Sequence, residues 1–256
     1  MVHADETVWR EEGQNGYVWS FSTPEGERLY EFNRSRAGEI PRGILGFGLE
    51  FKGVLCSDFY CGYNGYTGEH QRCWTHLLRD LHLLKEEHSD NEDVVQWAKS
   101  VRSLYDQANE LLRPNELGPP QDGEAFTNPL KHQQRQGAYS WLVAQATQLG
   151  SKYAEAKEHR THPCHALCKR LLRHQDELFQ FMLVPGLSPS NNLAERSVRP
   201  VVVSRKVSGG TQSPRGSRTR MTLASLMGTW RAKGQNPFDN CLALLSQPQP
   251  APSPLF

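Results

Sequence analysis

The hydrophobic pattern of this 256-residue chain changes its period near residue 73. Before that point, residues 17–22 (YVWSFS) and 28–33 (RLYEFN) alternate large apolar with polar side chains, which is typical of half-buried strands. Turn-forming residues stand at Asn15-Gly16 before the first segment and at Pro24-Glu-Gly26 between the two. We therefore predict a β-hairpin in the first part of the chain.

Two further elements are predicted before the change of period. A short helix is expected over residues 37–45, although Pro41 weakens the pattern there. Residues 53–56 (GVLC) form a short apolar run, which predicts a buried strand that ends just before Asp58.

Beyond residue 73 the apolar residues recur at helical spacing, as in Trp74, Leu77, Leu81 and Leu84. The same spacing predicts further helices over residues 94–112, 138–149, 165–183, 218–233 and 237–245. The first four helices form an all-helical block of about 110 residues. The Pro-rich residues 246–256 are expected to be a disordered tail.

The composition is that of an ordinary globular protein, with 37% hydrophobic and 22% charged residues. No apolar run is long enough to cross a membrane, and no secretory signal follows Met1. We therefore expect a cytoplasmic protein. The six cysteines are expected to be free thiols in that reducing compartment, and no C-x-x-C pair points to a structural zinc site.

The net charge of +1 conceals an uneven distribution along the chain. Residues 196–233 contain nine Arg or Lys and no Asp or Glu, whereas residues 86–124 are rich in acids. A basic segment of this kind suits a polyanionic partner. A solvated basic surface is the alternative interpretation.

Three acidic residues stand in distinctive contexts: Asp5 in VHADET, Asp58 in GVLCSDFY and Glu195 in NNLAER. The first two are predicted to close strands, and Glu195 is predicted to lie in the first turn of a helix. Carboxylates of this number can hold two Mg²⁺ ions on either side of a phosphodiester. Singly, each Asp could be a turn residue, and Glu195 could be an acid favoured by the helix dipole.

Five sequence blocks together resemble the transposases of insertion sequence family sixty-six. They are GVLCSDFY (53–60), HQRCWTHLLRDL (70–81), NNLAERSVRP (191–200), RKVSGG (205–210) and GQNPF (234–238). Residues 2–7 (VHADET) resemble the first catalytic block of that family. The blocks are collinear and run from Val2 to about Leu245.

The resemblance implies an α/β fold of the ribonuclease H-like DDE type, with a mixed sheet and flanking helices. It implies that residues 1–75 and 186–245 form the core, interrupted by a helical insertion at residues 76–185. Asp5, Asp58 and Glu195 would be the catalytic metal ligands. The implied reaction is Mg²⁺-dependent cleavage at transposon ends, with Mn²⁺ as a possible substitute, followed by strand transfer into target DNA.

The resemblance also suggests further functional residues and partners. Cys73 and His76 match a Cys-x-x-His signature, which we interpret as packing and DNA-end positioning, with a satisfied core His76 as the alternative. The partners implied are transposon-end and target DNA, a homo-oligomer assembled on DNA, and association with the nucleoid. DNA contacts are predicted for residues that follow or flank Glu195, namely Asn192, Arg196, Arg199, Arg205, Lys206 and Arg218.

Proteins of this family normally carry an additional N-terminal region that recognises transposon ends, whereas Met1 precedes Asp5 by four residues here. We therefore expect an N-terminally truncated catalytic fragment. The alternative is a catalytically inactive, DNA-binding remnant of a decayed or split transposase. A nuclease unconnected with transposition is a third interpretation, which the collinear blocks disfavour.

Overall fold

The computed structural model describes residues 1–46, 51–154 and 160–246. The chain divides into two compact units. The helical unit comprises Met1 and Pro41–Asn191, and the sheet unit comprises Val2–Ile40 together with the chain from Asn192 onward. The domain boundaries at residues 75, 185 and 245 stay predictions.

Along the chain, three strands come first, then a short helix and two short strands, and then eight α-helices within the described residues. The strands are β1 (Val2–Glu11), β2 (Gln14–Ser22), β3 (Arg28–Asn33), β4 (Leu55–Ser57) and β5 (His70–Arg72). The helices are α1 (Glu39–Leu45), α2 (Trp74–Glu87), α3 (Glu92–Leu111), α4 (Glu124–Thr127), α5 (Pro129–Ala154), α6 (His165–His174), α7 (Asn192–Ser208), α8 (Pro214–Ala232) and α9 (Pro237–Ser246).

In the sheet unit, β1, β2 and β3 pair antiparallel in sequence order. The predicted hairpin of β2 and β3 is confirmed, because the alternating residues 17–22 and 28–33 pair with each other. A second hairpin joins β1 to β2, and its turn lies at Glu12-Gly13, both with positive φ. Asn15-Gly16 instead lies inside β2, opposite Arg10 and Trp9. The turn predicted there from these two turn-forming residues is therefore wrong.

The placement of Asp5 at a strand end is wrong. Asp5 lies in the interior of β1, paired with Ser20 of β2. Pairing with β2 continues as far as Glu11, and buried and exposed side chains alternate from Val8 to Glu11, so the strand has ten residues. The strand was predicted to end at Asp5 because a short apolar run precedes this residue. Pairing with β2 extends the strand beyond that run.

A small core fixes α7 and α8 on one face of these strands. It contains Trp9 of β1, Val18 of β2 and Tyr30 of β3, packed against Val201 of α7 and Met221 of α8. The Trp9 indole N–H donates to Thr211 Oγ1 at 3.1 Å, so the buried ring is also hydrogen-bonded.

In the helical unit, α2 packs on α3, and α5 packs on α3, α4 and α6. The core includes Trp74, Trp97, Leu142, Leu171 and Phe181. Both indoles have partners: Trp74 donates to the Leu178 carbonyl at 2.5 Å and Trp97 to the Leu149 carbonyl at 2.9 Å. Helices predicted over 94–112 and 138–149 are confirmed, with α5 extending further at both ends.

The helix predicted over residues 165–183 is wrong in its second half. Helix α6 ends at His174, and a 3₁₀ helix covers Gln180–Met182. Between them the Leu178 carbonyl accepts hydrogen bonds from Trp74 and Gln71, and within the 3₁₀ helix the Phe181 N–H donates to Gln71. These backbone groups bind other elements and therefore do not continue a helix.

The remaining sequence predictions have mixed outcomes. The helices predicted over 37–45, 218–233 and 237–245 correspond to α1, α8 and α9. All six cysteines are free thiols. No helix in the described ranges is long and apolar enough to cross a membrane. The disordered tail was predicted over residues 246–256; Ser246 ends α9, and residues 247–256 lie outside the described residues.

Gly209 and Gly210 connect α7 to α8, and both have positive φ, 71° and 126°. A Cβ at Gly210 would lie 2.1 Å from the Arg10 carbonyl oxygen, whereas a Cβ at Gly209 would point into open space. We expect Gly209→Ala to cost about 1–2 kcal/mol of unfolding free energy, from backbone strain alone. Gly210→Ala should cost substantially more. Chemical denaturation measures both, and equal losses would contradict the close approach at Gly210.

Candidate active site

Asp5 lies on the face of the strands that α7 covers. Side chains alternate along β1, so Asp5 shares a face with Trp9, which packs against Val201 of α7. Directly paired residues also share a face, so Asp5, Ser20 and Tyr30 form one cross-strand row. The Asp5 Oδ1 accepts a hydrogen bond from the Glu6 N–H at 2.9 Å.

Glu195 lies in the first turn of α7, as predicted. The buried residues Ala194, Ser197, Val198 and Val201 turn this helix towards the strands. Two hydrogen bonds hold it there. The Tyr30 hydroxyl donates to the Ser197 carbonyl at 2.6 Å, and Arg205 donates to the Val8 carbonyl at 2.6 Å.

These contacts orient α7 along β1. Arg205, near the end of α7, contacts Val8, and Val201, one turn earlier, packs against Trp9. Ser197 bonds Tyr30, which belongs to the row of Asp5. The first turn of α7, with Glu195, therefore lies towards the end of β1 that carries Asp5.

Asp58 belongs to the helical unit, where it directly follows β4 as predicted. Its Oδ1 accepts a hydrogen bond from the Tyr60 N–H at 2.9 Å, which tightens the turn after the strand. Strand β4 pairs parallel with β5 over three residues each. The sequence-predicted cluster of three carboxylates thus draws on both units, and its convergence stays a prediction.

A buried arginine, which sequence analysis missed, supports the Asp58 segment. Arg72 is 0% exposed. It donates to the Asp58 carbonyl at 2.7 Å, to Ser57 Oγ at 3.2 Å and to Asn64 Oδ1 at 2.6 Å, and it pairs with Glu177 at 2.5 Å. The sequence contains one indication of this role, because Arg72 is a charged residue in the short segment HQR (70–72), directly before Cys73.

His70 and Glu177 complete this network. His70 Nε2 lies 2.8 Å from Ser57 Oγ, and His174 Nδ1 lies 2.9 Å from a Glu177 oxygen. Burial, and then the positive charge of Arg72, lower the pKa of His70 to about 3. Burial alone would raise the pKa of Glu177, but His174, Arg72 and His70 together lower it to about 2.

Cys73 and His76 contact each other at the start of α2. Burial would raise the pKa of the Cys73 thiol, but hydrogen bonds with His76 and with the Asn191 N–H lower it below its usual value. The same bond to Cys73 raises the pKa of His76, and the charge of Asp58 adds to this effect. His76 is half-buried, and the role predicted for this pair in DNA-end positioning stays a prediction.

The predicted DNA-binding residues lie on two helices of the sheet unit. Asn192, Arg196, Arg199 and Lys206 are exposed on α7, and Arg218 is exposed on α8. Arg205 differs from them, because it is half-buried and donates to the backbone of β1. That contact gives Arg205 a structural role which the sequence did not indicate.

Comparison with known proteins identifies the chain as transposase-related. Residues 1–219 match the family described as Transposase IS66 family. The chain belongs to this family, which confirms the resemblance found in its sequence blocks.

Two curated relatives come from Sinorhizobium fredii. Uncharacterized protein y4qI is 25% identical over 225 residues, which cover 82% of this chain and 38% of the relative. Uncharacterized protein y4jO is 27% identical over 168 residues, covering 66% of this chain and 45% of the relative. The chain therefore spans less than half the length of either relative. No solved structure matches it.

We expect acid to destabilise the helical unit through His70. Because its folded pKa is lowered from 6.5 to about 3, stability is complete above pH 6.5 and falls as the pH drops towards 3. Glu177 contributes in the same direction, between its ordinary pKa of 4.5 and about 2. When the pH is lowered from neutral to mildly acidic, the melting temperature should fall less in His70→Gln than in the wild type. His82→Gln, at an exposed position, is the control; an unchanged pH dependence in His70→Gln would contradict the burial of a neutral His70.

Proposed function

We propose that this chain is the catalytic part of a DDE transposase with a ribonuclease H-like core. It would cleave DNA at insertion-sequence ends and transfer the freed strand into target DNA. Asp5, Asp58 and Glu195 would be its catalytic residues and metal ligands. A protein with this activity would bind transposon-end and target DNA, act as a homo-oligomer and be found with the nucleoid.

The observation that carries the proposal is the placement of Asp5 under α7. Asp5 lies on the face covered by the helix that bears Glu195, and Glu195 lies towards the matching end. Family membership supports a transposase-type function for such a pair. Asp58 adds a third carboxylate directly after a buried strand, on a segment held by Arg72.

The donor chemistry fits a hard divalent cation. Asp5, Asp58 and Glu195 offer only carboxylate oxygens, which Mg²⁺ and Mn²⁺ prefer. When bound, two such ions would stabilise charge on the attacking and leaving oxygens of a phosphodiester. The chain's own contribution is to orient the carboxylates: Tyr60 N–H fixes Asp58, and Glu6 N–H fixes Asp5.

Strand transfer by purified protein tests the role of Glu195. With a precleaved transposon-end duplex, a supercoiled target and Mg²⁺ or Mn²⁺, we expect Glu195→Gln to lower joined product by about 10³-fold or more. Asp239→Asn is a matched control, because it also removes an acid from the first turn of a helix, α9. A comparable loss in both variants would assign Glu195 a helix-dipole role.

The wild-type result separates the three candidate functions. Joined product would support a working transposase core. DNA binding without any cleavage or joining would instead support the alternative, a catalytically inactive DNA-binding remnant. Hydrolysis with no joined product would point to a nuclease.

A second substitution tests Asp58 without removing its turn. Asp58→Asn keeps an oxygen that can accept from the Tyr60 N–H, so the fold should be retained. We expect it to abolish metal-dependent cleavage while leaving salt-sensitive DNA binding unchanged. Cleavage gels and binding titrations over a range of salt measure both properties, and residual wild-type cleavage would remove Asp58 from the site.

A further inference from the structure

The sheet unit contains a groove of about 1210 Å³ between α7 and α8. Apolar side chains of both helices line it, and these are called its floor: Leu193, Pro200 and Val201 of α7, and Met221, Leu223 and Met227 of α8. This volume exceeds the roughly 300–1,000 Å³ of ordinary small-molecule sites. The groove therefore suits a segment of a polymer better than a metabolite.

Arginines surround this apolar floor, namely Arg28, Arg196, Arg215, Arg220 and Arg231, and none of the lining residues is acidic. Two of them have structural contacts. Arg28 donates to the Thr23 and Glu27 carbonyls, and Arg220 hydrogen-bonds Ser204 and lies over the Trp9 ring.

The other three arginines of the groove are available for a ligand. Within the described parts of the chain, no hydrogen bond or ion pair engages the guanidinium groups of Arg196, Arg215 or Arg231, and all three residues are exposed. Arg215 and Arg231 lie near opposite ends of α8, about 24 Å apart along the helix axis. The positive charge therefore extends along the groove and is not confined to one point.

We propose that the α7–α8 groove binds single-stranded DNA, with phosphates on the arginines and unpaired bases against the apolar floor. A single strand offers both anionic phosphates and apolar base faces, and that combination matches the groove. In a duplex the bases are stacked on one another, so a duplex would satisfy the arginines but leave the concave floor uncovered.

A second copy of the chain is a weaker match on charge. Helix α9 exposes Phe238, Leu242 and Leu245, which could enter an apolar groove. However, Asp239 is its one acidic residue, so α9 would leave the arginines of the groove unneutralised. Charge complementarity therefore favours a polyanion.

The groove begins at the first turn of α7, where Leu193 and Arg196 lie on either side of Glu195 along the chain. A strand held there would lead to Glu195. This part of the inference rests on the proposed function, because it assigns the bound strand to the DNA end being processed.

The test compares binding of a blunt duplex with binding of the same duplex carrying a short single-stranded 3′ extension. Fluorescence anisotropy with the full chain in EDTA removes any contribution from metal-dependent chemistry. We expect the wild type to bind the extended duplex about tenfold more tightly, which corresponds to about 1.4 kcal/mol. Leu223→Gln combined with Met227→Gln should abolish that preference and leave blunt-duplex binding unchanged.

Val203→Gln is the matched control, because Val203 is an exposed apolar residue of α7 outside the groove. It should retain the preference. Arg215→Gln combined with Arg231→Gln should weaken extended-duplex binding and reduce its salt dependence. Thermal melts of each variant establish that the fold is intact.

Three results would overturn the assignment. They are equal binding of both duplexes by the wild type, an equal loss for both duplexes in the floor variant, and a change from dimer to monomer in the floor variant without any change in DNA preference. The last result would assign the groove to a second copy. If the protein prefers the extended duplex but never cleaves DNA, the proposed catalysis is refuted and the groove assignment is retained. If it cleaves DNA without that preference, the groove assignment is refuted and the proposed catalysis is retained.

Discussion

The segment of the helical unit that carries Asp58 depends on the buried positive charge of Arg72. Strands β4 and β5 are only three residues long, so their backbone pairing cannot by itself hold the segment that follows Ser57. Arg72 supplies the missing constraint by donating to the Asp58 carbonyl, Ser57 and Asn64 while it pairs with Glu177. Removing one partner of a buried ion pair costs about 3–5 kcal/mol, because the other charge is left uncompensated. Arg72 therefore holds the backbone of Asp58, while the Tyr60 N–H binds its carboxylate.

The sheet unit positions its carboxylates by a different means, which is close packing. Helix α7 lies on a face where Trp9 and Tyr30 stand beside small residues: Ser20, next to Asp5, is fully buried, and a Cβ at Gly16 would lie 2.5 Å from the Phe32 ring. Larger side chains at these positions would displace the helix or the neighbouring ring. Close packing, together with the hydrogen bonds of Tyr30 and Arg205, thus decides where Glu195 lies, whereas the charge and hydrogen bonds of buried Arg72 hold the Asp58 segment.

The sequence predicted elements well where a local pattern was sufficient. The alternation in residues 17–22 and 28–33 gave a true hairpin, and Glu195 is in the first turn of a helix. It failed where distant contacts decide the structure. Pairing with β2 carries β1 past Asp5, and hydrogen bonds to Gln71 and Trp74 end the helical run after His174. Arg72 and Glu177 could not be matched from sequence, since 105 residues separate them and neither stands in a charge pattern.

The sheet unit is built from two parts of the chain that lie far apart in sequence. The contacts of β1 with this later part of the chain join Val8 to Arg205 of α7 and Trp9 to Thr211, which follows α7, across separations of 197 and 202 residues. Contacts of such long range form slowly, because the intervening chain must first be closed into a loop. During synthesis, β1 emerges from the ribosome long before α7 has been made. Its apolar face therefore remains exposed to solvent until α7 can cover it. The unit is consequently assembled only after translation has passed α7, and the early strands are the part of the chain with the greatest need of protection from aggregation until then.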